Sequence, residues 1–215
     1  MEFFNVATAR SEISAARPFY PYSPRGKKQA YLLKALGLNE IDDLRRECEK
    51  KQAGRRAACP LFWTLGANQV GKGAIAGWRD VLAPALNSER EFLLWPFDGG
   101  LGDLLQPGKI VVAETYPAEC YGWFLQDPLS GKGKLEVRRV VGSRLTRWVA
   151  SFDLVVQPAP LGMIEGGFPE GDDAFDAVVG LIGMIEVATG RRKPAEPSGD
   201  RIRKVEGWIL GQSSR

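Results

Sequence analysis

Carboxylates are the side chains of this sequence whose spacing most suggests chemistry. Glu114 closes the apolar run Ile110-Val111-Val112-Ala113, at the carboxyl end of a predicted strand, which is where open α/β sheets form ligand crevices. Asp173 and Asp176 stand three apart in the predicted helix DDAFDAVVGLIGMIEVATG, so they share a face that Gly180 and Gly183 continue. Acids at a helix start also cap orphan N–H groups, which accounts for Asp172 and Asp173 but not for Asp176, further along. Carboxylates that converge repel one another unless a cation joins them, and an all-oxygen set suits Mg²⁺ or Mn²⁺. The chain contains no histidine, which excludes imidazole acid–base catalysis, Ser-His and Cys-His nucleophiles, and His-ligated zinc. Cys48, Cys59 and Cys120 are odd in number and form no C-x-x-C pair, so free thiols in a reducing cytoplasm are expected.

A second constellation lies in LFWTLGANQVGKGAIAGW. Its Gly66-Ala-Asn-Gln-Val-Gly-Lys72 fits the first seven positions of the phosphate-binding G-x-x-x-x-G-K-[ST] loop, but Gly73 stands where a Mg²⁺-holding hydroxyl belongs. Gln69 and Lys72 are candidate substrate-binding residues, contacting a phosphate backbone. The alternative is a packing role, in which the glycines let the chain turn tightly and a helix lie close to its neighbour.

These residues need elements to position them. LFWTL reads as a strand and AIAGWRDVL as a helix ending near Pro84, while REFLLWPF and KIVVAETYP read as strands between turn residues. The second is apolar on both faces, as in a parallel strand covered on each side. Before them, RPFYPYSPRGKK excludes regular structure. KKQAYLLKAL, stopped by Gly37, and EIDDLRRECEKKQA, capped by Asn39 and stopped by Gly54, read as amphipathic helices. SRLTRWVASFDLVV reads as a core helix behind an N-cap at Ser143, and QPAPLGMIEGGFPEG as a loop. The DDAFDA helix is expected to bury Ala174, Ala177, Val178, Leu181 and Ile185, and KVEGWILGQ to be a strand or a docked tail. The expected architecture is one α/β domain over 1–215, with residues 1–60 an extended arm and helical elaboration and 61–215 a sheet-helix core.

With 215 residues, 44% hydrophobic, the chain can bury one good core; its net charge of +3 is too small to argue for a polyanionic partner by itself. Basic residues beside aromatics in GKGKLEVRRVVGSRLTRW, KKQAGRR and GRRK make nucleic acid a candidate partner, against the plainer reading of a solvated surface. No basic-then-apolar leader opens the sequence, no apolar run reaches membrane-spanning length, and a cytoplasmic location is the expectation.

The segments VVAETYPAECYGW, EGDDAFDAVVGLIGMIEVATG and VEGWILGQ together resemble the predicted RNase H-like nucleases catalogued as domain of unknown function 429. That family has an E-x-Y-P strand end, a D-x-x-D-A helix and an E-G-W-I terminus. CPLFWTLGANQVGKGAIAGWRDVLAPAL and LWPFDG are similar to its longer branch, so the resemblance covers about two thirds of the chain. It implies a RuvC-type core, a mixed sheet flanked by helices. Glu114 would be the strand carboxylate and Asp173 and Asp176 the helix pair, all three catalytic and metal-binding. It also implies phosphodiester hydrolysis with Mg²⁺ or Mn²⁺. Such folds open with a strand meander bearing a metal-binding Asp, which residues 1–60 do not supply. The core is therefore expected to lack its N-terminal strands, with Asp98 or a second chain completing the site. Two further readings stand beside the nuclease: a non-catalytic interaction or assembly module that keeps the core and self-associates through an unpaired sheet edge, and nucleotide binding through Gly66 to Lys72.

Overall fold

The computed structural model describes residues 2–19, 29–52, 55–64, 70–88, 90–125, 131–152 and 156–213. Contacts divide the chain into two compact units, one formed by Met1–Val112 with Asp200–Gly207, the other by Ala113–Gly199 with Trp208–Arg215. The architecture is mixed α/β, mostly helical, with a two-stranded parallel sheet.

In the first unit, α1 (Gln29–Leu36) ends where Gly37 adopts a φ of 68°, the left-handed stop that glycine provides. Leu32 and Leu44 pack with Ala7 and Ile13 in a small core. EIDDLRRECEKKQA is not a helix. It forms two single turns, Ile41–Leu44 and Glu47–Glu49, separated by extended backbone at Arg45 and Arg46. Side chains outcompete the helix for the backbone here. The Asp43 carboxylate accepts from the N–H groups of Asn39 (2.9 Å) and Glu40 (3.0 Å). The buried Glu49 carboxylate accepts from the Arg46 N–H (2.9 Å) and Nε (3.0 Å).

LFWTL is also not a strand, since Leu61–Thr64 is turn and irregular backbone. The following helix is longer than expected. α2 (Val70–Ile75) runs into wide π-type turns over Ala76–Leu82 and then α3 (Ala83–Leu86). Pro84 sits inside it and has no N–H to donate, and just before it the Ala83 N–H reaches back five residues to the Trp78 carbonyl. β1 (Phe92–Leu94) and β2 (Ile110–Val112) pair in parallel, with Phe92 opposite Ile110 and Leu94 opposite Val112. Their residues are half-buried rather than enclosed on both faces. The short α4 (Leu101–Leu104) intervenes between them. Asp98, suggested as a completing ligand, accepts from the Leu94 N–H at 2.6 Å and braces its own turn.

The second unit holds α5 (Pro117–Leu125), α6 (Leu135–Val149), α7 (Pro158–Gly166) and α8 (Asp173–Ala188). Tyr121, Val141, Leu145, Ile164, Phe168, Phe175, Val179 and Ile182 make its core. Ser143 is not an N-cap but lies within α6, its hydroxyl donating to the Arg139 carbonyl at 3.2 Å. QPAPLGMIEGG is a helix rather than a loop, because Pro158 falls in the first turn, where its fixed φ favours the helix and its missing N–H costs nothing. α6 and α7 approach so closely that a Cβ on Gly142 would collide with the Ile164 carbonyl.

α8 turns a different face inward from the one expected. Phe175, Val179, Gly180, Ile182, Gly183 and Val187 are buried, while Leu181 is 54% exposed and Ala174 and Ala177 face outward. Phenylalanine and the glycine pair, not the alanines, decide the buried stripe. Both glycines sit against close neighbours: a Cβ on Gly180 would lie 2.9 Å from Thr115 Cγ2, and one on Gly183 would strike Cys120 Sγ on α5. VEGWILGQ continues from a wide turn at Ile202–Glu206 into buried Trp208–Gln212, with Ile209 in a parallel bridge to Glu114.

Candidate functional site

The first turns of α8 carry the site, within the second unit. Asp173 is exposed there, in the position where a carboxylate complements the helix dipole. Asp176, one turn on, is drawn into a network. The Tyr121 hydroxyl donates to its Oδ1 and the Lys132 ammonium to its Oδ2. Lys132 also reaches Asp172 at 3.7 Å. The Tyr121 ring stacks on Phe175, with centroids 6.2 Å apart, so the aromatic core fixes the direction of the hydroxyl. Burial pushes the Tyr121 phenol well above its ordinary pKa, and the Asp176 hydrogen bond and charge add to the shift. It therefore keeps its proton and donates a hydrogen bond.

Lys132 is positioned from behind. Arg138, 3% exposed, donates to the carbonyls of Gly167 (2.7 Å), Phe168 (3.0 Å) and Lys132 (2.8 Å). Gly167 and Phe168 both have positive φ, 69° and 53°, which is strained for a phenylalanine. Arg138 and Lys132 belong to the basic cluster that suggested nucleic acid. The structure assigns Arg138 to the core instead.

Glu114 follows β2 by two residues. Its side chain is exposed and its carbonyl accepts from the Leu210 N–H at 2.9 Å. The next residue, Thr115, packs on Gly180, one turn beyond Asp176 on α8. Within the second unit, the backbone after Glu114 thus lies beside the helix that carries Asp173 and Asp176. The carboxylates do not meet: among the described residues no three of His, Cys, Asp and Glu gather into a group that could hold a metal ion. Asp176 is engaged by Tyr121 and Lys132 in this arrangement, so a Mg²⁺ or Mn²⁺ of the kind the resemblance implies would compete there with the Lys132 ammonium. Sequence reasoning missed Tyr121 and Lys132 as partners of Asp176. Tyr121 was visible only as the second tyrosine of ETYPAECY, and Lys132 only as one of several basic residues.

Gly66 and Gln69 lie outside the described residues, and Lys72 is exposed on α2. Gly71 has a packing explanation: a Cβ there would lie 2.7 Å from the Trp63 carbonyl oxygen and 2.9 Å from that of Leu61, and its N–H donates to Trp63 at 2.8 Å. Cys48, Cys59 and Cys120 are free thiols, and burial pushes Cys120 up to about 11. Among the described residues no helix is long and apolar enough to cross a membrane. Compared with protein-family models, curated proteins and solved structures, the chain matches none.

Proposed function

We propose that this protein is a nuclease-like protein with an RNase H-like core that acts on the phosphodiester bonds of nucleic acid. Glu114, Asp173 and Asp176 are its reactive carboxylates, and Gln69 and Lys72 are its phosphate contacts. The observation that carries the reading is the seating of Thr115 on Gly180, which sets the ETYP strand end against the helix bearing the D-x-x-D-A acids. Those two motifs are the ones that resemble the nuclease family. In the arrangement described, Lys132 supplies the positive charge that Asp176 requires. The carboxylates are therefore in a closed form, and a metal cofactor, Mg²⁺ or Mn²⁺, binds there only in competition with that ammonium.

The Lys132 pairing also favours a second reading, a non-catalytic interaction or assembly module that retains the core and self-associates through a sheet edge. One experiment separates the two. Mn²⁺ is titrated calorimetrically into the wild type, Lys132→Met and Asp176→Asn, and each is assayed for cleavage of single- and double-stranded DNA and RNA. The nuclease reading expects Mn²⁺ binding and cleavage, both raised by Lys132→Met and lost in Asp176→Asn. No binding and no cleavage in either the wild type or Lys132→Met would sink it. The assembly reading then requires a concentration-dependent dimer by analytical ultracentrifugation.

A further inference from the structure

At the opposite end of α8 from the carboxylates, the second unit contains a cavity of about 490 Å³ lined by Trp123, Trp148, Glu186, Arg191, Arg192 and Lys193 among others. That volume lies within the range of small-molecule sites, roughly 300–1,000 Å³. Three consecutive cations meet two indoles here, and their roles differ. Arg191 is structural: its guanidinium donates to Ser151 O (2.6 Å) and Oγ (3.0 Å) and lies 3.4 Å from the Phe152 ring centroid. It belongs to the helix end, where a cation also suits the dipole.

Arg192 and Lys193 are not used in this way. Arg192 places its guanidinium 3.9 Å from the Trp123 ring centroid, and no carboxylate lies within ion-pair distance of it or of Lys193 among the described residues. The Trp123 indole is itself fixed, since Gly183 and Gly211 leave it room that a Cβ at either position would take. A guanidinium seated over a fixed indole offers an outer face on which a base can stack, and its N–H groups remain able to grip phosphate. Lys193, exposed beside it, adds a second phosphate contact as a point charge. Glu186 lines the same cavity and its charge acts on Arg192, so an entering phosphate exchanges that attraction for its own.

We propose that this cavity binds one nucleoside phosphate unit of a single-stranded nucleic acid, with the phosphate on Arg192 and Lys193 and the base against the Arg192–Trp123 stack and Trp148. The proposal rests on the nucleic-acid reading above and gives it a binding subsite separate from the carboxylates. Single strands suit the site because stacking requires an unpaired base, which a duplex does not offer.

The test is fluorescence anisotropy of a labelled ten-nucleotide thymidine strand with the full-length chain in EDTA, so that binding is read without metal or cleavage. Saturable binding is expected, with the affinity falling at least about five-fold in both Arg192→Gln and Lys193→Ala. Each lost phosphate contact also makes the salt dependence shallower by about 0.7 in the log–log slope. Lys193→Ala alters only an exposed side chain, so a loss of binding there, with an unchanged circular dichroism spectrum, is not misfolding. Competition identifies the source of the phosphate: unlabelled strand displaces the probe at far lower concentration than thymidine monophosphate or a matched duplex. Equal displacement by the mononucleotide, or by heparin at equal charge, overturns the single-strand assignment. Binding unchanged in both variants, or no binding at all, overturns the site. A metal-dependent cleavage activity lost in Asp176→Asn would survive either result, so the two readings fail separately.

Discussion

Replacing Asp176 by Asn and by Ala should have different consequences, and the difference comes from Tyr121. The Lys132–Asp176 pair is partly exposed, at 37% and 23% of the two side chains, so its loss costs about 0.5–1 kcal/mol. An asparagine still offers Oδ1 to the Tyr121 hydroxyl, although a neutral acceptor is weaker than a carboxylate by roughly 0.5–1 kcal/mol. Asp176→Asn should therefore destabilise by about 1–2 kcal/mol. Asp176→Ala removes the acceptor as well, and Tyr121 is only 5% exposed. A buried hydroxyl left without a partner adds about 1–3 kcal/mol to the lost ion pair, for a total of roughly 1.5–4 kcal/mol. In the alanine background Tyr121→Phe should recover about 1 kcal/mol or more, whereas in the wild type it should be destabilising. The assay is urea unfolding of the four proteins of the Tyr121→Phe/Asp176→Ala cycle together with Asp176→Asn, followed by far-ultraviolet circular dichroism and compared by midpoint and slope. Equal losses for Asn and Ala, or an equal effect of Tyr121→Phe in both backgrounds, would refute the account of the network.

Two other perturbations follow from packing and burial. Gly142→Ala drives a methyl group into the Ile164 carbonyl, and because that neighbour is backbone, the helix pair must separate; a loss of about 3 kcal/mol, read as a lowered urea midpoint, is expected, and a neutral substitution would contradict the close α6–α7 approach. Cys120 is raised from 9.0 to about 11, so the folded state holds the thiol proton more tightly than the unfolded one: the resulting stabilisation is complete below pH 9 and disappears as the pH rises through about 11. Near pH 8 the Cys120 thiolate is about a hundred-fold scarcer than in the unfolded chain, so iodoacetamide should label half-buried Cys59 well before Cys120 by peptide mass spectrometry, and equal rates would show that the thiol is not buried as described.

The sequence made legible those features that depend on local chemistry. Gly37 and Gly190 stop their helices at positive φ, and the apolar runs around Leu93 and Val111 pair in parallel. Gly180 and Gly183 continue the helix face of the acids and admit close neighbours there. What misled was side-chain competition for the backbone and the choice between two apolar faces. EIDDLRRECEKK has helical periodicity, but Asp43 and Glu49 hold N–H groups that a helix would need. On α8 both Val178 and Val179 are apolar. Only the tertiary fit of Phe175 beside Tyr121 and Phe168 selects the second. The acids of the site could be found from their spacing, whereas their partners could not. Tyr121 and Lys132 are 55 and 44 residues from Asp176 along the chain, and no short-range pattern links residues so far apart.

Arg138 anchors the backbone from which Lys132 projects. Its three carbonyl contacts tie residue 132 to the backbone of Gly167 and Phe168. Lysine normally surrenders several rotatable bonds to form an ion pair on a partly open surface. Here the backbone at residue 132 is already held, and only the side chain remains to be ordered. The acidic end of α8 thus has a tethered counter-ion whose local concentration does not depend on dilution, on salt composition or on which ions the solution supplies. Any cation recruited from solvent must compete with a charge that is permanently attached nearby.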